Sequence, residues 1–245
     1  MWEYTLYAFL LSAIALTPIL SVFIYKAGFK ANLWLVFLLG GTIWLLALIA
    51  RTPLLLLHLF FPSDIIYFAY ASILAGVFEE SFRYFSMKKW EKFRESKAHI
   101  LSMGLGWGFL EALIIYVSSI ILIAVFLDLG APISELPSYT SPFDFFVSRL
   151  AGAFERWVAT LLHVSLTFLV FQALKRRTYL YLAITIHTAV DFVAVTTSYL
   201  TQNIVLTELV ITVFALTVAF YALKVLQAPE YISESRSIAS EICQK

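Results

Sequence analysis

Residues 65–89 read IIYFAYASILAGVFEESFRYFSMKK, an apolar run with Glu79, Glu80 and Arg83 inside it and Lys88 and Lys89 at its end. A bilayer core of about 30 Å needs roughly 20 apolar residues per helix. Stretches of that kind recur along the chain, placing spans near 4–25, 32–51, 65–87, 99–127, 143–174, 178–199 and 203–226. Composition agrees: 61% of the 245 residues are hydrophobic and only 13% charged, too few charges to solvate a globular surface. The sequence thus predicts an all-α membrane protein, a polytopic bundle of about seven transmembrane helices. It forms one helical domain over 1–226, with its site within 65–199, followed by a short cytoplasmic tail over 227–245. The first run has no basic leader and no small-residue cleavage pattern, so it reads as a retained helix. Arg51-Thr52-Pro53 ends the second span, because proline lacks the helix N–H, and leaves residues 54–61 at the interface.

Loop charge sets the expected orientation. Lys26 and Lys30, the group Lys88, Lys89, Lys92, Arg94 and Lys97, and the triplet Lys175, Arg176 and Arg177 fall on connections of one parity. The loop from Leu127 to Pro142 is of the other parity and has no Lys or Arg. Positive-inside bias puts the basic connections and the C-terminus in the cytoplasm and the N-terminus outside. A multi-pass protein of the cell membrane is expected, with the lipid bilayer as its surroundings. The net charge of +1 without a basic face excludes a nucleic-acid partner. Cys243 stands alone, which excludes an intrachain disulfide framework and a cysteine-based zinc site.

Charge inside a span costs about 2.5 to 3.5 kcal/mol on insertion scales, so each instance needs a partner or a task. Counted from the basic flanks at about 1.5 Å per residue, Glu79 lies about 14 Å deep, Glu111 and His163 about 18 Å, His187 about 15 Å and Asp191 about 21 Å. Four helices thus present acids or imidazoles in one slab, which predicts a shared polar site opening toward the cytoplasm. Residues four apart share a helix face, pairing Glu79 with Arg83 and His187 with Asp191, the carboxylate of Asp191 accepting from one ring nitrogen. Two adjacent carboxylates in a low dielectric do not both ionise easily, which suits one of Glu79 and Glu80 to general acid or base work. The chemistry in outline is a water activated by a glutamate, with imidazoles stabilising an oxyanion or holding a metal. Gly104, Gly106 and Gly108 read as a close helix contact rather than a phosphate loop. Arg149, Glu155 and Arg156 read as structural ion pairing near the outer interface. A His187/Asp191 pair that merely satisfies itself, and an Arg83 that snorkels, are the bland alternatives.

The motifs Glu79-Glu80-Ser81-Phe82-Arg83, Trp107 to Glu111, His163 and His187 to Asp191 together resemble the superfamily that joins the CAAX prenyl-protein endopeptidases, the PrsW proteases and the YhfC-like proteins. The EExxR spacing is similar to PrsW and YhfC, and Trp107 with Glu111 resembles an FxxxE motif where the CAAX enzymes have FxxxH. Phe78 to Lys89 and the two intramembrane histidines also resemble anterior pharynx-defective 1, the seven-span scaffold subunit of gamma-secretase. That subunit lacks the full acid set formed here by Glu79, Glu111 and Asp191. The resemblance implies an intramembrane peptidase acting on a membrane protein or peptide. Glu79 or Glu80 would activate water, His163 and His187 would stabilise the oxyanion or bind metal, and Arg83, Glu111 and Asp191 would orient or tune them. It also implies either no cofactor or one divalent metal such as zinc, with His163, His187 and Glu79 as ligands. A non-catalytic scaffold is the alternative, and a transporter using the carboxylates as a proton relay a third.

Overall fold

The computed structural model describes residues 2–130 and 139–227; residues 228–245, nearly all of the expected tail, lie outside them. Eight α-helices follow in order: α1 (Glu3–Ala27), α2 (Ala31–Leu55), α3 (Asp64–Lys89), α4 (Lys97–Glu111), α5 (Ser118–Asp128), α6 (Pro142–Ala173), α7 (Thr178–Thr201) and α8 (Ile204–Gln227). No strand occurs among the described residues. A π-helical turn, Ala112–Val117, joins α4 to α5, so the described residues hold seven helices long and apolar enough to cross a membrane.

Short polar residues just before apolar runs start these helices. The hydroxyls of Ser63, Ser96 and Ser141 accept from the backbone N–H of Ile66, His99 and Asp144, satisfying donors that the first helical turn leaves free. Helix α1 has no such cap of its own; the carboxylate of Asp128, at the end of α5, accepts from the N–H groups of Tyr4 and Thr5 and from the Thr5 hydroxyl. The second helix corrects one expectation. It runs through Pro53 to Leu55 and then tightens into a 3-10 turn over Leu56–Phe60, because a proline in the last turn deletes one hydrogen bond without propagating a break.

Glycines bring the backbones together. A Cβ on Gly106 would collide with the Phe37 carbonyl of α2, and one on Gly108 would sit 2.9 Å from the Thr160 Cα of α6. Glycines two apart on α4 thus face two neighbours, and the close contact expected there is present. The longest helix, α6, packs against α1, α4, α7 and α8, and α3 packs on α7. At the basic end Asn32 meets His99 at 3.3 Å. At the opposite end the Tyr67 and Tyr70 hydroxyls donate to the Leu55 and Leu54 carbonyls, and Tyr199 donates to Asp64. Between the site and the basic end, Met87, Phe93, Ile100, Met103, Leu166 and Leu169 are buried in one apolar cluster.

Candidate active site

Adjacent residues on a helix point about 100° apart, so Glu79 and Glu80 are sent to different neighbours. Glu80 is fully buried and lies 2.5 Å from the guanidinium of Arg83, with its other oxygen 2.7 Å from His187 Nδ1. Glu79 instead takes the guanidinium of Arg51 at 3.0 Å and the indole N–H of Trp107 at 3.1 Å. The expected pairing of Glu79 with Arg83 is thereby corrected: the three-residue step to Glu80 closes the ion pair. Each carboxylate has its own cation.

Trp107 does more than fill space. Its ring lies 4.0 Å from the Arg83 guanidinium carbon while its N–H holds Glu79, so one aromatic side chain fixes both members of the motif. The other amino face of Arg83 donates to His163 Nδ1 at 3.3 Å. Arginine has no acceptor, so Nδ1 is the bare nitrogen of His163, and the ring proton resides on Nε2, which donates to Glu111 at 2.6 Å. For His187 the reverse holds: Nδ1–H donates to the paired carboxylate of Glu80, leaving Nε2 open. That nitrogen faces Asp191 at 3.6 Å and Glu79 at 3.9 Å. The His187–Asp191 hydrogen bond expected from the sequence is therefore replaced by one to Glu80, and Asp191 stays partly exposed. Glu111 is completed by Arg156 at 3.2 Å, which also pairs with Glu155.

A cavity of about 350 Å³ adjoins this cluster, and Glu79, Glu111, His163, His187 and Asp191 all line it. Glu80 and Arg83 lie behind the wall as supports. Five of the seven expected site residues thus share one chamber, and the other two hold it in shape. Sequence reading passed over Arg51 and Arg156 as members of the site, and gave Trp107 a place in a motif but no task. The cost of a charge in a span applies to arginine as to glutamate, and that rule would have flagged both guanidiniums as partners for Glu79 and Glu111.

The remaining lining residues, among them Leu55, Ser72, Ile115 and Val195, lie toward the end opposite the basic connections. These walls do not include the opening expected on the basic side; buried apolar side chains, Met87 and Leu169 among them, pack there.

Glu79, Glu111 and His163 each bring one donor atom to within 4.8 Å of the others. Two carboxylates and an imidazole are the ligand types of a divalent ion of the zinc type, and His163 would join them through Nε2 once the ring proton moves to Nδ1 and the contact with Arg83 is released. The expected ligand set shifts accordingly: Glu111 joins Glu79 and His163, while His187 stands beside them with Nε2 open.

No curated protein and no solved structure matches this chain. A family profile described as YhfC intramembrane metalloprotease matches residues 12–215. That interval contains every residue of the cavity, and the chain belongs to the YhfC intramembrane metalloprotease family.

Proposed function

We propose that the chain hydrolyses a peptide bond of a membrane-embedded or membrane-proximal segment, with Glu79 as the general base. The observation that carries this reading is that Glu79, alone of the two adjacent glutamates, lines the cavity. Arg51 and Trp107 hold it there by an ion pair and a hydrogen bond. Glu79 takes a proton from water, the water oxygen bonds to the scissile carbonyl carbon, and the same proton passes to the amine as the C–N bond breaks. The Nε2–H of His163 and the guanidinium of Arg156 are donors beside that chamber and suit the oxyanion. Glu80 orients His187, whose open Nε2 can receive a proton from the reacting centre. A divalent ion held by Glu79, Glu111 and His163 would supply a Lewis acid for the carbonyl and the attacking water; in that loaded state Glu79 and His163 would be ligands, and the proton and oxyanion roles would fall to His187 Nε2 and Arg156.

The test is turnover of a labelled peptide library by purified protein, with Glu79→Gln and Glu80→Asp beside the wild type. Loss of cleavage in the first with retention in the second supports the reading; unchanged cleavage by Glu79→Gln overturns it. A scaffold resembling the gamma-secretase subunit is the second reading, favoured by the ion pairs on Glu79, Glu80 and Glu111. It requires no cleavage by the wild type and a loss of partner recovery in the same variants.

A further inference from the structure

A second chamber of about 400 Å³ lies between α6, α7 and α8, beyond the first. The two share four wall residues, Glu155, Ala194, Val195 and Ile211. Its far wall is Tyr199, Gln202 and Ile204, at the turn between α7 and α8. That turn belongs to the end opposite the basic connections, where Tyr199 also ties α7 to Asp64. On the other side of the cluster, Arg83, Met87 and Leu169 are fully buried.

From this geometry we infer that the substrate segment reaches Glu79 through the two joined chambers, entering at the α7–α8 turn from the end opposite the basic connections. The inference rests on the peptidase reading for the identity of the occupant. The twelve residues from His187 to Tyr199 span about 18 Å, which about five residues of extended chain cover. The occupant is therefore an extended peptide with about five residues on one side of the scissile bond. The route's walls mix carboxylates, hydroxyls and an amide with apolar side chains, which suits a hydrated peptide backbone better than a lipid tail.

The experiment is cysteine accessibility in a Cys243→Ser background, using a positively charged, water-soluble methanethiosulfonate on protein in membranes. Ala194→Cys samples the route. Ser86→Cys, two turns from Glu79 on the basic side, samples the alternative. Ala194→Cys is expected to react roughly tenfold faster than Ser86→Cys, and its modification to abolish peptide cleavage. Equal or faster reaction at Ser86→Cys overturns the route, as does an inert Ala194→Cys. Cleavage that survives complete modification of Ala194→Cys also overturns it. The labelling requires no turnover, so the expected pattern in a chain that cleaves nothing supports the route and counts only against the peptidase reading.

Discussion

Two neighbouring glutamates with one chemistry are given different work by what surrounds them. Glu80 is fully buried between Arg83 and His187, whereas Glu79 borders the cavity with Arg51 beside it. Removing one member of a buried ion pair strands the other and costs about 3 to 5 kcal/mol. Glu80→Gln strands the fully buried Arg83 and should lower the melting temperature of the purified protein markedly. Glu79→Gln strands Arg51, which reaches the surface in part, and should lower the melting temperature less while lowering kcat by about 100- to 10,000-fold, the usual contribution of a general base. Equal thermal losses in both variants would contradict this division. If Glu79, Glu111 and His163 hold a divalent ion, elemental analysis should find metal in the wild-type protein and little in Glu111→Gln or His163→Ala. Metal content unchanged by both would point to another ligand set. The acids and histidines of this site were legible because each is a lone ionisable group in an apolar run and must have a reason to be there. Their pairings were not: helix spacing offered Arg83 to Glu79 and Asp191 to His187, and only the neighbouring helices could show that Arg51 and Glu80 stand closer.

Seven spans follow directly from apolar length, but the π-helical departure within the fourth left little mark in the sequence. The π-helical turn at Ala112–Val117 occupies ALIIYV, where every residue is apolar and the period carries no signal. Its use is visible in the packing. Gly104 and Gly108 lock α4 against α6, while Ile120 and Ala124 of α5 pack against Ala8 and Leu11 of α1, and Asp128 caps that helix. A regular helix could not satisfy both contacts, and the extra residue of a π turn supplies the needed rotation. Inserting one alanine after Leu113 would add a residue that the π turn does not absorb and turn α5 by about 100° against α4. The insertion variant should still enter the membrane yet lose cleavage or melt lower, as either Glu111 leaves His163 or α5 leaves α1; wild-type values for both would show that the phase between the two helices is dispensable. The glycine contact is stricter. In Gly106→Leu the side chain must occupy the place of the Phe37 carbonyl, so α2 and α4 must part, and Arg51 on α2 moves with them. That variant should show both a lower melting temperature and reduced cleavage, whereas Leu38→Ala, an exposed position of the same α2 helix, should leave cleavage unchanged.

The distribution of charge over the whole bundle ties orientation to supply of substrate. The connections at one end carry Lys26 and Lys30, then Lys88, Lys89, Lys92, Arg94 and Lys97, then Lys175, Arg176 and Arg177; the segments 56–63, 129–141 and 202–203 at the other end carry no Lys or Arg. A bias of that size predicts the basic end in the cytoplasm. It also fixes where the inferred route opens, because the α7–α8 turn belongs to the uncharged end. The substrate would then be a segment presented from outside the cytoplasm, cut about midway through the bilayer. In a Cys243→Ser background, Asn203→Cys in the α7–α8 turn should react with a membrane-impermeant maleimide on intact cells. Glu91→Cys, in the basic α3–α4 connection, should react only after the cells are permeabilised. The reverse pattern would turn the bundle over and place the mouth of the route in the cytoplasm, leaving the depth of Glu79 and the buried apolar cluster beneath it as they are. Orientation and route are thus separable: the first depends on loop charge alone, the second on which side of the polar cluster the helices leave open.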